Sequence, residues 1–294
     1  MKNVINDDGT ELVPTGGIDF TYNVISHLKK LLPKFDDYLF ILFNHNGTTL
    51  PISRNFWHCK KILFWEAGEN KQQQFGKVKS DYLCIFTHYA SSRPNVYSIP
   101  LGYFTSEVSG ETIEMPERLF DISFTGCLNR NRARLASLLS GKKVQWIADG
   151  LEKRKKKTLV TLNRIIKWEH NNDYFYFTED FNVGLNKERY SLVLRNSRIV
   201  LCPRGWVNAE TFRMYEAMKF GCVVITEKLP ERDFYRNVPV FQIENWKEGL
   251  EVARYMAKHP ERLVELGSSS QRFYEEHYQP RAVAKNISLI IKSL

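Results

Sequence analysis

The sequence predicts an α/β fold made of two β/α halves in succession. Three observations carry that reading. Runs such as "DYLFILF" (37–43), "DYLCIFTH" (81–88), "RIVLC" (198–202) and "CVVIT" (222–226) are apolar on both faces, without alternation. Parallel strands covered by helices on both sides read this way. Segments with helical spacing lie between such runs, as in "GGIDFTYNVISHLKKLLPKF", where Phe20, Val24, Leu28, Leu31 and Leu32 fall on one stripe. The length, 294 residues, is more than one core usually serves, so two domains are expected.

In chain order, Asp19 or Thr21 caps that first helix. The strand at 37–43 follows, then "KKILFWEAGE" (60–69), the strand at 81–88, and a short one in "NVYSIPLGY" (95–103). The polar "TSEVSGETIEMPERL" reads as a hinge, which sets a first domain at 1–115 and a second at 116–278. The second half restarts with a strand, "FDISFTG" (120–126). "CLNRNRARLASLLSG" is a loop leading into a helix that ends at Gly141, and "KKVQWIAD" (142–149) is a strand. "EKRKKKTLVTLNRIIKW" is a basic stretch running into a helix, and "NKERYSLVLRNS" (186–197) is a further helix. "RIVLC", the helix "NAETFRMYEAMKFG", "CVVIT" and the short strand "PVFQI" follow. Three helices close the chain, two of them led by proline at the first turn. The last occupies 279–294.

Hydrophobic content of 43% and aromatic content of 13% fit a folded globule and exclude a disordered or fibrous chain. The formal net charge of +9 implies an anionic partner, whether nucleic acid, a membrane surface or a phosphorylated substrate. No recognition motif for DNA or RNA accompanies it, so nucleic acid ranks last. The run "KRKKK" (153–157) reads as a solvated face, with an acidic-membrane or acceptor contact as its alternative. Five cysteines, with no CxxC pair, read as reduced thiols of a cytoplasmic protein, not as zinc ligands. The first residues have no apolar core of the signal-peptide kind, and no run approaches the ~20 apolar residues of a membrane span.

In open parallel sheets, ligands bind beyond the carboxyl ends of the strands. Those ends are unequal in the two halves. In the second half, "RIVLC" runs into Pro203, Arg204 and Gly205, and "FDISFTG" into Arg130, Arg132 and Arg134. Guanidiniums bind phosphate oxygens through paired hydrogen bonds, and a helix start adds free amides. Gly205 lets the backbone come close. Arg213 and Glu216 share a helix face, suited to a diphosphate and a ribose; an exposed ion pair is the plain alternative. Cations at a helix start are unfavourable, so Arg130, Arg132 and Arg134 need an offset that a bound anion supplies. In the first half, Glu66 ends a strand beside Trp65. A carboxylate in a partly apolar pocket can act as a general base; a solvent-facing strand end is the plain alternative. Glu69, Asp19 and His88 are its rivals.

These residues resemble known families. "SRIVLCPRGW…ETFRMYEAMKFGCVVIT" resembles the nucleotide-sugar-binding half of exostosin-like glycosyltransferases, through Cys202, Pro203, Arg204, Gly205, Arg213, Glu216, Ala217, Gly221 and Cys222. The likeness spans residues 118–240. The first half, "ILFWEAGE…SDYLCIFTHYASSRPNVYSIPLGY", is similar to the α1,3-fucosyltransferase family, whose basic glutamate maps onto Glu66; Ala67 and Gly68 stand where that family has serine and proline. The resemblance implies the GT-B architecture: two facing Rossmann-like domains, the donor held by the second, no obligatory metal, and a last helix crossing back to the first. It implies a hexosyl- or pentosyltransferase that inverts configuration. The donor is a nucleoside diphosphate sugar, UDP-linked by the exostosin likeness, and serves as substrate, with no cofactor. The acceptor is an oligosaccharide or glycoconjugate. A retaining GT-B enzyme and a non-catalytic nucleotide- or glycan-binding module are the alternatives.

Overall fold

The computed structural model describes residues 2–6, 19–42, 55, 57–65, 82–88, 93–103, 110–141, 167–170, 172–179, 183–206 and 209–294. The chain divides into two compact units, Met1–Ser106 with Glu276–Leu294, and Glu107–Glu275.

The first unit is a five-stranded parallel sheet in sequential order. Its strands are β1 (Val4–Asn6), β2 (Tyr38–Leu42), β3 (Lys60–Trp65), β4 (Cys84–Thr87) and β5 (Val96–Ser98). Side chains alternate across a strand, so an unbroken apolar run must serve two covered faces. Phe40, Phe64 and Phe86 turn to one face. There they meet Phe20, Val24 and Leu28 of helix α1 (Asp19–Leu31) and Val283, Ile287 and Ile291 of the C-terminal helix (Pro280–Ser293). Leu39, Ile41, Leu63 and Ile85 fill the other face. The last helix therefore belongs to the first unit's core, which is the crossover the resemblance implied. The sequence pattern did not reveal β1, a three-residue edge strand.

The second unit contains, in chain order, β6 (Phe120–Cys127), α2 (Arg130–Ser140), β7 (Lys167–His170), β8 (Asp173–Thr178), α3 (Lys187–Arg195) and β9 (Ser197–Cys202). It continues through α4 (Phe212–Lys219), β10 (Val223–Glu227), β11 (Phe241–Ile243), α5 (Trp246–Ala257) and α6 (Pro260–Phe273). Its sheet runs β11-β10-β9-β6-β8-β7, parallel except for the edge strand β7. Two of these strands correct the sequence reading. Lys167 and Trp168, expected at the end of a helix, lie in β7 and pair with Tyr176 and Phe175. The chain returns through Asn172, in the left-handed region at φ 67°, into β8, where Phe175 and Phe177 are buried. The strand expected at 142–149, the "KRKKK" run and the helix start after it lie outside the described residues.

The order of the strands places the functional end. From β6 the sheet grows one way through β8 and the other way through β9, so the direction of winding reverses between β6 and β9. A crevice opens beyond the carboxyl ends at such a reversal. The amino ends are closed by an arginine. Arg118 is buried, with Nε donating to the Ile113 carbonyl (2.9 Å) and Nη1 to those of Ser197 (2.9 Å) and Gly221 (3.2 Å). Its Nη2 donates to the Phe220 carbonyl at 2.5 Å. Gly221 turns the chain from α4 into β10 at φ 64°, a conformation glycine adopts without penalty.

Candidate functional site

The carboxyl ends of β6 and β9 bring three of the predicted arginines together. Arg213, on the first turn of α4, is 9% exposed, and its guanidinium lies over the Phe124 ring of β6 with Cζ 4.6 Å from the centroid. Arg132, on α2, approaches the same ring at 5.8 Å. Arg204 joins them through its carbonyl, which accepts from Arg132 Nε at 3.1 Å. Gly126 makes the approach feasible: a Cβ at that position would collide with Arg213 Nη2.

The arginines differ in what they have left to give. Arg132 Nη1 donates to the Cys127 carbonyl at 2.8 Å, and its backbone N–H donates to the capping Asn129 Oδ1 at 3.0 Å. Its charge at a helix start is thus offset by carbonyls at two strand ends, an offset that the sequence reading had assigned to a bound anion. Arg130 and Arg134 point to the exposed side of α2. Arg213 Nε and Nη1 are buried and have no hydrogen-bond partner. The N-cap of α4, Thr211, makes no side-chain capping bond, and its Oγ1 is likewise buried without a partner. Unmatched donors inside a protein are rare and expensive, about 1–3 kcal/mol each and more when charged.

Glu216 is 2% exposed and lies one turn along α4 from Arg213. Its Oε2 accepts from the Tyr190 hydroxyl of α3 at 2.7 Å. Burial first, and then the Glu216 charge, hold the Tyr190 hydroxyl well above its ordinary pKa of 10, with Arg213 opposing. Burial likewise pushes the Cys202 thiol up to about 12, against the pull of Arg213. Burial lowers the Lys219 pKa, and the Glu216 charge opposes it. Arg213, Glu216, Tyr190 and Cys202 thus form one electrostatic neighbourhood.

Arg204 also opens onto a pocket of about 540 Å³, lined by Asn131, Arg134, Glu227, Lys228 and Trp246 among others. Glu227, at the end of β10, is held there: Trp246 Nε1 donates to Oε1 at 2.6 Å, and the Arg204 N–H donates to Oε2 at 3.1 Å. Asn131 Nδ2 donates to the carbonyls of Gly205 (2.7 Å) and Trp206 (3.0 Å), which fixes the loop after β9. In the sequence Glu227 stands directly after the "CVVIT" run, at a strand's carboxyl end. Asn131, Tyr190 and Trp246 carried no signal beyond their place in helices.

In the first unit, Asp19 starts α1 and is buried. Tyr103 lies near it, its hydroxyl accepting from Asn23 Nδ2 at 2.7 Å. Burial raises the Tyr103 pKa, with the Asp19 charge adding to the rise and the Asn23 bond opposing it. His88, just past the end of β4, is buried with Nδ1 3.5 Å from the Ile99 carbonyl oxygen. Glu66 and Glu69 lie outside the described residues. Among the described residues, no helix is long and apolar enough to cross a membrane. All five cysteines are free thiols.

Residues 115–259 match the family model of the RXYLT1 C-terminal domain. They belong to that exostosin-like glycosyltransferase family. The RXYLT1-type segment takes in β6 through α5, and with them every arginine of the cluster, Glu216 and Glu227. It begins at residue 115, leaving the α1,3-fucosyltransferase likeness of the first half as an expectation. The RXYLT1-type segment and the first unit together have a GT-B fold. An alpha-glucosyltransferase (AGT) in complex with UDP superposes with a TM-score of 0.56 at 12% identity, over 98% of this chain and 90% of that one. Anabaena Alr3699/HepE, in complex with UDP and glucose, gives 0.54 at 10% identity, over 92% and 81%. TarM gives 0.51 at 11% identity, over 90% of this chain but only 56% of TarM's own length. No curated protein sequence matches the chain significantly.

Proposed function

We propose that the protein transfers a sugar from a UDP-sugar to a glycan hydroxyl, and that Arg213 grips the donor diphosphate. The observation that carries this is the buried Arg213 guanidinium, whose Nε and Nη1 lack acceptors at the uncapped start of α4. A diphosphate supplies oxygens for donors of this kind, and a helix start favours an anion. Arg204 adds a second guanidinium at the mouth, and Arg132 and Gly205 hold the loop on which it sits. Arg130 is the outermost candidate. Glu216, held by Tyr190, accepts from the ribose hydroxyls in this reading. UDP in two structural neighbours of the same fold favours a uridine nucleotide.

In the reaction, the acceptor oxygen forms a bond to the anomeric carbon as the bond from that carbon to the diphosphate oxygen breaks. The leaving UDP takes the bonding electrons. Guanidiniums preorganised around that oxygen stabilise the developing charge, often the largest catalytic contribution. In this reading they supply the positive charge facing the diphosphate, and no metal is required. A first-unit carboxylate takes the acceptor proton, with Glu66 first and Glu69 or Asp19 next, and configuration inverts.

A hydrolysis and thermal-shift screen across UDP-, GDP- and CMP-sugars tests the donor class. The expected result is a response confined to UDP-sugars and undiminished by EDTA. A preference for GDP or CMP donors, or loss of turnover in EDTA, would contradict it. The anomeric NMR signal of the product tests the base: retention would remove the need for one.

A further inference from the structure

A second buried polar group stands at the start of α4 and takes no part in the reaction described above. Glu210, two residues before the helix, has a side chain only 3% exposed. Its Oε1 accepts from the Tyr235 hydroxyl at 2.5 Å, and its Oε2 lies 3.4 Å from Arg232 Nη2. A tyrosine hydroxyl has one proton, and Tyr235 gives it to Glu210. The Tyr215 hydroxyl, 2.6 Å away, must therefore donate to Tyr235. The hydrogen bonds from Tyr215 to Tyr235 and from Tyr235 to the Glu210 carboxylate tie α4 to the loop after β10 and to the segment before α4. Burial holds Tyr235 well above its usual pKa, with Tyr215 and Glu210 adding to the rise, so it stays a donor.

This network is a poor device for stability alone. Arg232 Nε and Nη1 are buried without partners, and apolar replacements of buried ion pairs are often as stable as the pair. Its location suggests another use. Tyr215 is two residues beyond Arg213 and Glu210 is three before it, so the network clamps both sides of the residue on which the donor site depends.

We propose that Tyr235, Glu210 and Arg232 are positioning residues for Arg213. Tyr235 fixes the pitch and rotation of the first turn of α4. Arg232 neutralises a Glu210 carboxylate that would otherwise repel a diphosphate bound nearby. The proposal rests on Arg213 as the diphosphate ligand, and its test separates the two ideas.

The ligand-free protein, labelled with 15N-arginine, reads the brace directly. The Arg213 Nε–H resonance, assigned by its absence in Arg213→Ala, is expected to shift and broaden in Tyr235→Phe. UDP titration gives the second reading. Tyr235→Phe should weaken UDP about fivefold or more in the wild-type background and add nothing in Arg213→Ala, since the two substitutions act through one contact. Arg232→Met should weaken UDP, and adding Glu210→Gln should restore much of the loss by removing the uncompensated charge. An unmoved Arg213 resonance, additive losses, or no rescue by Glu210→Gln would each overturn the brace. Failure of the wild type to bind UDP would instead overturn the donor reading, and the resonance would still decide the brace.

Discussion

Arg118 and Arg213 are both buried in the second unit, 4% and 9% exposed. Arg118 closes the amino ends of β9 and β10, where four backbone carbonyls and the Cys222 sulfur, 3.6 Å from Nη1, take up its donors. Arg213 lies at the carboxyl end of β6, over an aromatic ring, with two nitrogens unmatched. The same residue type, at nearly the same burial, stands in two different environments. Partners in the protein mark an arginine that holds the fold. Donors left without acceptors beside a helix start mark, in the function proposed above, one that a ligand completes.

The contrast can be broken from either side. Arg118→Met strands several carbonyls at once and should destabilise the protein by about 3 kcal/mol or more, read by urea unfolding. Arg213→Met removes an unmatched buried charge and should leave stability within about 1 kcal/mol of wild type. Its loss should appear in binding instead, as UDP affinity lower by about 2 kcal/mol, roughly 30-fold.

Alkaline pH compares the two ends through their thiols. Cys222, beside Arg118, is pushed up by burial to about 11, the guanidinium pulling the other way; Cys202, in the Arg213 cluster, is raised to about 12. Both folded-state values exceed the unfolded 9.0, so the native protein holds these protons more tightly. Stability is therefore full below pH 9 and falls as pH rises, by up to about 1.4 kcal/mol per unit for each thiol. The Cys222 contribution should level off near pH 11 and the Cys202 contribution near 12. Melting curves across that range check it, with Cys222→Ala flattening the earlier part. The smallest effect is steric: Gly126→Ala should displace the Arg213 guanidinium and weaken UDP roughly fivefold, about 1 kcal/mol, with Arg118 untouched.

Much of this fold could be read from the residues. "DYLFILF" and "RIVLC" declare buried parallel strands because a sheet covered on both faces leaves no polar alternation. The missed elements are those without that signal. β1 has only three residues, and β7 ends a segment whose basic and aliphatic residues also suit a helix. β8, "DYFYFT", does carry alternating buried aromatics at Phe175 and Phe177, a period-two strand pattern. Arg204, Arg213 and Glu216 were legible because their spacing follows a strand, a turn and a helix face. What a single arginine is bonded to was not. Beyond one carbonyl five residues away in each case, Arg132 and Arg118 are held by carbonyls brought in from 72 and from 79 to 103 residues away. Sequence spacing holds no trace of such contacts.

The most direct test of the central claim is an isothermal titration of UDP into the wild-type protein and into Arg213→Met, with urea unfolding of both. The account predicts saturable binding by the wild type, a loss of roughly 30-fold in the variant, and matching unfolding midpoints within about 1 kcal/mol of stability. Equal UDP affinity in the two proteins, or a variant that loses its fold together with its binding, would contradict it.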